Sequence, residues 1–319
     1  MNVILVGDTG RSSMLGVFAQ MPKNPDNFLF MRRRPKLGSS FFRKYSDSEN
    51  FTKVKTAELK NGIVIRYGTR LEASVSGSIV YNESQAIAKA SNKLAAREIF
   101  IREGVSTVPL IKKESSSGKF NISNIDPSYF PIIARPFTHS KGKDFVVLNT
   151  IEELNNHYEK YGYLKEWYYS GYIKKTAEFR VHAAHGKILS VMAKPIPEDP
   201  NQLAWNRALN EESFLPVPWT EWNYEVCVQG LNAVKALGLD FAGVDVIFKD
   251  GVAYVLEVNT SPSLNTSPYM TAKYAQYFNW LFTSPTKREH FDYTAFKKVD
   301  SISWKNFNFE DREPLKKQK

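Results

Sequence analysis

Apolar and polar positions change period several times along the chain, and the changes divide it into strands and helices. Residues 2–6 form a short apolar run, followed by the Gly/Ser-rich turn GDTGRSSMLG and a helical pattern to about residue 20, the opening of a Rossmann-like β-α unit. Residues 28–31 and 62–67 are the next strand candidates. From 83 to 103 apolar side chains recur at 87, 90, 94, 95 and 99, which predicts one helix ending at Gly104. The period then shortens. Strands are predicted over 131–136 and 145–148, a helix over 151–161 with Thr150 as N-cap, and alternating strands over 176–183 and 187–193 around His185-Gly186. Residues 195–218 read as loop, 222–237 as helix, 244–248 and 252–258 as a β-hairpin, and 272–282 as an aromatic helix. The pattern predicts an α/β (α+β) protein of two or three lobes.

The hairpin carries the densest chemistry. Residues two apart on a strand share a face, so Glu257 and Asn259 point the same way. A two-residue loop at Asp250-Gly251 puts Asp245 opposite Leu256 and on the other face. A three-residue loop, Lys249-Asp250-Gly251, puts Asp245 opposite Val255 and on the Glu257/Asn259 face; this loop is the expectation, with Gly251 in the left-handed position. Two carboxylates and an amide oxygen on one spot repel unless a cation sits between them. A ligand set made only of oxygens suits Mg²⁺ or Mn²⁺. On the earlier hairpin, Glu178, Arg180 and His182 also share one polar face.

Composition narrows the class. With 42% hydrophobic and 24% charged residues in 319, the chain is of ordinary globular type. No apolar run approaches the roughly 18 residues of a membrane span, so no membrane role is expected. Cys227 is the single cysteine, which excludes an internal disulfide and, with no Cys/His cluster, argues against zinc; a cytoplasmic setting is expected. The net charge is +10, and residues 1–70 alone hold 13 basic and 5 acidic side chains. The run Arg32-Arg33-Arg34-Pro35-Lys36 and the basic residues among Phe41, Phe42 and Tyr45 point to an anionic partner such as nucleic acid or an acidic peptide.

The block G-V-D, then E-V-N twelve positions on, then T-S-P-S-L, resembles the last signature of the ATP-grasp ligases, closest to the ribosomal-protein glutamate ligases and related carboxylate-amine ligases. The resemblance covers residues 82–268. It implies Asp245, Glu257 and Asn259 as ligands of two Mg²⁺ ions that bridge the phosphates of ATP. The N-K-x-x-x-x-x-L-like entry to the central domain gives Lys93 a role at the nucleotide. Arg135 stands where the family usually has Lys, keeping the charge but replacing a compact ammonium by a planar fork. The small basic loop after it implies Ser140, Lys141 and Gly142 over the phosphates. Glu166 and Trp167 match the hinge strand that recognises adenine, and Glu178 matches the acid that contacts the nucleotide. The resemblance implies catalytic roles for Arg180 at the γ-phosphate and Lys194 facing substrate, and matches Asn206 and Arg207 loosely to the substrate and phosphate loop. Arg66, at the end of a predicted strand, is a candidate for an anionic group of the substrate.

The implied fold is a Rossmann-like N-terminal domain (1–81), an ATP-grasp central subdomain (82–168), a C-terminal subdomain with the metal hairpin (169–283) and a basic extension (284–319). The implied reaction joins a small-molecule or peptide carboxylate to an amine at the expense of ATP. Two alternatives stand beside it: an ATP-grasp enzyme modifying a large anionic acceptor held by the basic N-terminal lobe, and a non-catalytic ATP-binding protein. A homo-oligomer is left open.

Overall fold

The computed structural model describes residues 62–70, 79–111, 125–136, 145–161, 167–197, 214–264 and 268–283, the strand segments at 3–7, 28–32, 41–45 and 51–55, and single positions from 13 to 20. Three sheets organise them. The first is parallel, in the order β2 (Phe28–Arg32), β1 (Val3–Gly7), β5 (Ile63–Tyr67) and β6 (Ile79–Tyr81). Every residue of β5 is buried, as expected for a central parallel strand covered on both faces. Beside it β3 (Phe41–Tyr45) and β4 (Phe51–Lys55) pair as an antiparallel hairpin, within a stretch the sequence marked by its charge and aromatic residues and not as strands.

The second sheet is antiparallel, in the order β7 (Leu110–Ile111), β10 (Trp167–Gly171), β8 (Ile132–Pro136) and β9 (Val146–Leu148). The third, also antiparallel, runs β13 (Leu215–Pro216), β12 (Lys187–Ala193), β11 (Ala177–Ala184), β14 (Phe241–Lys249) and β15 (Val252–Asn259). Its two hairpins turn on residue pairs with positive φ, His185-Gly186 and Asp250-Gly251.

The long helix expected over 83–103 is two helices, α1 (Ser84–Ser91) and α2 (Lys93–Arg102). Asn92 divides them: its extended backbone leaves the helix, and its side chain accepts from the Ala95 N–H at 3.1 Å, capping α2. The cap makes Lys93 the first residue of a helix. α3 (Ile151–Tyr161) begins as expected at Thr150, whose hydroxyl accepts from the Glu153 N–H at 3.1 Å. α4 (Tyr224–Leu237) is capped by Asn223 and ends at Gly238 in the left-handed region, and α5 (Pro268–Thr283) contains the predicted aromatic helix.

Strand alternation sorts the third sheet into two faces. Val181, Ala183, Val244, Val246 and Val258 point to one side and are buried with Val226, Leu231 and Leu237 of α4 and with Ile87, Ile99 and Phe100 of α1 and α2. Each buried Val, Leu, Ile or Phe side chain contributes about 1.5–3 kcal/mol relative to exposure. The other face carries Glu178, Arg180, His182, Asp245, Glu257 and Asn259, and beyond them the apolar Ala184, Met192 and Phe241. A second core joins the first sheet to the third: Ile63, Ile65 and Tyr67 pack with Phe241 and with Tyr274, Tyr277 and Phe278 of α5. Asn82 fastens the same junction, accepting from the N–H groups of Asp240 (2.8 Å) and Phe241 (3.2 Å) and donating to the Phe241 carbonyl (2.9 Å).

Candidate active site

The loop of the β14/β15 hairpin is not the three-residue loop the parity argument requires. Lys249 pairs with Val252, so only Asp250 (φ 49°) and Gly251 (φ 80°) lie between the strands. Asp-Gly tolerates two left-handed residues in succession, which suits the tightest hairpin turn. Parity is restored further down. The register shifts between Asp245 and Val246, with Val246 opposite Val255 and Asp245 opposite Glu257, so Leu256 is the extra residue of a β-bulge. Asp245, Glu257 and Asn259 therefore do share a face, through a bulge and not through the loop.

Around them charges alternate across the sheet. Arg180 lies directly opposite Asp245 and grips its carboxylate with Nε at 2.6 Å and Nη2 at 2.8 Å. Lys194 reaches the same carboxylate at 3.9 Å and pairs with Glu178, which also holds Lys175 at 2.5 Å. Lys93 spans from α2 to Glu257 at 2.9 Å, and the Asn259 amide donates to the other Glu257 oxygen at 3.2 Å. Burial and pairing shift the ionisation of Asp245, Arg180, Lys194 and Lys175. Burial alone raises the Asp245 pKa, but Arg180 and Lys194 outweigh it and bring it to about 2. Burial lowers Arg180 and Lys194, and the facing carboxylates raise both above their ordinary values. Lys175 goes the other way: burial lowers it more than Glu178 restores, and Lys194 and Arg135 add to the lowering.

Beside this lattice lies a cleft of mixed polar and apolar lining between the second and third sheets. Ile133, Arg135 and Ser170 line one wall, Ile247 and the bulged Leu256 the other, with Val108, Tyr172, Ile173 and Lys175 at the ends. Alternation decides which side chains of β10 enter it. Ser170 faces the cleft, and Tyr168 stands on the same face, opposite Arg135. Trp167 and Tyr169 turn the other way, against His157 of α3. The Trp167 ring is thus kept out of the cleft, and Tyr172 lines it.

Three groups in this region carry no signal in the sequence pattern. Lys175 precedes its strand, Leu256 enters only through the bulge, and Phe214 lies at the far end of a long loop-like segment. The Phe214 ring lies under both the Arg180 guanidinium (4.6 Å) and the Lys194 ammonium (5.6 Å). Ser140, Lys141, Gly142, Glu166, Asn206 and Arg207 lie outside the described residues. Arg66 is buried and pairs with Glu83 at 3.6 Å; the next residue, Tyr67, donates its hydroxyl to the Pro262 carbonyl in the T-S-P-S-L segment.

The donor set fits a hard divalent cation. Among the described residues no three His, Cys, Asp or Glu side chains cluster, so soft or imidazole-rich metal sites are not formed there. Asp245, Glu257 and Asn259 supply two carboxylates and one amide oxygen on one face, with Arg180 paired to Asp245 and Lys93 to Glu257.

Comparison with known proteins defines the class. The architecture is shared with the D-alanine–D-alanine ligase of Bacillus anthracis complexed with ATP, at a TM-score of 0.59 and 18% identity over 91% of this chain and 98% of that one. It is shared likewise with the ATP-grasp ligase PsnB complexed with minimal precursor, Mg and ADP (TM-score 0.58, 14% identity, 83% and 90% covered). The macrocyclase MdnC of Microcystis aeruginosa, bound with precursor peptide MdnA, gives 0.58 at 15% identity over 87% and 99%. The chain has the ATP-grasp fold. In sequence it is similar to the probable alpha-L-glutamate ligase of Psychromonas ingrahamii, 26% identical over 213 residues that cover 65% of this chain and 68% of that protein. It is 27% identical to the probable alpha-L-glutamate ligase 2 of Hahella chejuensis over 208 residues, 63% and 66% covered. No protein-family model matches the chain.

Proposed function

We propose that the protein is an ATP-dependent carboxylate-amine ligase that works through an acyl phosphate and releases ADP and phosphate. One observation carries this: Asp245, Glu257 and Asn259 share a sheet face with Arg180 and Lys194, met by Lys93 from α2, beside a cleft of mixed lining. In this reading the adenine lies in the slot between Ile133 and Ile247/Leu256, and the phosphates run toward Arg135, Lys175 and Lys93. Asp245, Glu257 and Asn259 would hold Mg²⁺, which when bound would supply positive charge against the phosphate oxygens.

The chemistry follows from the charges. A carboxylate oxygen attacks the γ-phosphorus, the bond to the β-phosphate oxygen breaks, and ADP leaves with the electron pair. Arg180 and Lys194, kept protonated by their carboxylate neighbours, stabilise the charge moving onto the transferred group. An amine then attacks the acyl carbon; the C–N bond forms, the C–O bond to phosphate breaks, and the ammonium proton is lost. The Phe214 ring over both cations limits the approach of water to the acyl phosphate. The substrates of the relatives, glutamate by name in the sequence relatives and peptides in PsnB and MdnC, support an amino-acid or peptide carboxylate or amine. The domain division at residues 81, 168 and 283, and roles for Ser140, Lys141, Gly142, Glu166, Glu178, Asn206 and Arg207 at the nucleotide, belong to the same proposal, as does a cytoplasmic setting; Trp167, whose ring packs against His157 and away from the cleft, is left a backbone role only. Among the described residues no helix is long and apolar enough to cross a membrane.

The test is release of ADP and phosphate from ATP and Mg²⁺ with pooled amino acids, peptides and amines. Turnover that depends on the pool and is lost in Glu257→Ala is expected; ATP bound with no turnover in any pool counts against a ligase. A second reading, a large anionic acceptor, is favoured by the β3/β4 pairing, which sets Arg43 opposite Lys53 and Phe41 opposite Lys55. Salt-sensitive capture of acidic peptide or RNA is expected if it holds, and no capture of either rejects it.

A further inference from the structure

The apolar stripe of α2 contains one cation. Arg97 lies one turn beyond Lys93, between buried Ala96 and Ile99/Phe100, and is only 1% exposed, which makes it the largest fully buried side chain among the described residues. Its guanidinium carbon stands 5.4 Å from the centroid of the Tyr168 ring, and its Nε and Nη1 atoms are buried with no hydrogen-bond partner. Buried guanidinium donors left unmatched are costly, and a fold keeps them where a ligand supplies the acceptors. Arg135, opposite Tyr168 on the cleft wall, has the same defect at its own buried Nε.

The neighbours say what kind of ligand is missing. Burial lowers the Arg97 pKa to about 10; Arg135 adds to the lowering, and Glu257 acts against it. Arg135 and Lys175 line the cleft, and among the described groups of the neighbouring charge lattice Lys93, Arg97, Arg180 and Lys194 join them against three carboxylates, Glu178, Asp245 and Glu257. The excess is positive, and the unmatched donors lie on its α2 side. A planar fork offers two parallel donors to the oxygens of one phosphate.

We propose that Arg97 is a ligand of the nucleotide's phosphate chain, receiving it together with Lys93 and Arg135 between α2 and the second sheet. This rests on the nucleotide reading of the cleft and adds to it a buried residue held ready for the anion. The helix stripe gives Arg97 its position, Tyr168 gives the guanidinium a face to lie against, and the phosphate oxygens complete its hydrogen bonds.

The test compares wild type with Arg97→Met by calorimetric titration with ADP and Mg²⁺ and with adenosine, alongside melting curves without ligand. The expected result is ADP affinity lower by at least about tenfold, adenosine affinity within about twofold, and a melting temperature equal to or above wild type, since an unmatched buried charge has been removed. Equal ADP affinity in the two proteins overturns the proposal while leaving the cleft a nucleotide site. A wild type that binds neither ligand refutes the nucleotide reading instead. If Arg97→Met does not fold, Arg97→Lys serves: ADP affinity reduced by at least about threefold supports a bidentate contact, and unchanged affinity overturns it.

Discussion

His182 offers a clean test of the electrostatics beneath the site. It lies on the polar face of β11, two residues from Arg180 and 2% exposed, with Nδ1 3.0 Å from the Tyr274 hydroxyl oxygen. Burial first, and then the positive charge of Arg180, hold its pKa down to about 3 from an ordinary 6.5. The folded protein keeps this imidazole neutral while the unfolded chain takes up a proton below about pH 6.5. The folded pKa lies below the unfolded one, so the stability is complete above about pH 6.5 and is lost as the pH falls toward 3, at up to about 1.4 kcal/mol per unit. By pH 5 the loss is about 2 kcal/mol, or roughly 3 °C of melting temperature in a chain of this size. His182→Gln retains a partner for Tyr274 and cannot titrate. At pH 7.5 it should melt below wild type, by the roughly 1–2 kcal/mol usual for a buried substitution, and by pH 5 the gap should close or reverse. Thermal melts in half-unit steps between these pH values measure it. His157, which burial also lowers, is present in both proteins and cancels. A gap of constant size across the range would refute the assignment.

Further tests probe the walls of the site. Gly68 has φ +72°, and a Cβ there would stand 2.3 Å from the Ser261 Cβ, so Gly68→Ala should cost about 2–4 kcal/mol and lower the melting temperature; an unchanged melt contradicts the packing of the T-S-P-S-L segment against β5. Phe214→Ala removes the ring beneath Arg180 and Lys194 and should raise phosphate release relative to amide formed by several-fold, read from the ratio of the two products; an unchanged ratio removes Phe214 from the account. Ile247→Trp fills the slot opposite Ile133 and should weaken ADP binding by at least about tenfold with only a few degrees of change in melting, whereas retained binding would put the nucleotide elsewhere.

Much of the architecture is legible in the sequence because strand and helix periods are long and unbroken where they matter. The polar face of β11 follows from Glu178, Arg180 and His182 at alternate positions, and the cap of α3 from Thr150. What escaped was local. Asn92 interrupts a helical period that continues on both sides of it, and only its capping geometry reveals the break at Lys93. The β14/β15 hairpin shows the limit more sharply. Its parity argument reached the right face for Asp245 through the wrong loop, because a bulge at Leu256 leaves no mark in hydrophobic alternation. Contacts made from distant segments, Phe214 on Arg180 and Arg97 on Tyr168, have no sequence signal beyond a charged residue inside an apolar stripe.

The central claim is that ATP activates a carboxylate by phosphorylating it, and an isotope decides it most directly. When a carboxylate substrate that supports turnover carries ¹⁸O in both carboxyl oxygens, attack on the γ-phosphorus moves one of them into the phosphate released. The account predicts one ¹⁸O in each phosphate, with no transfer and no turnover in Glu257→Ala. Turnover that yields unlabelled phosphate would contradict it.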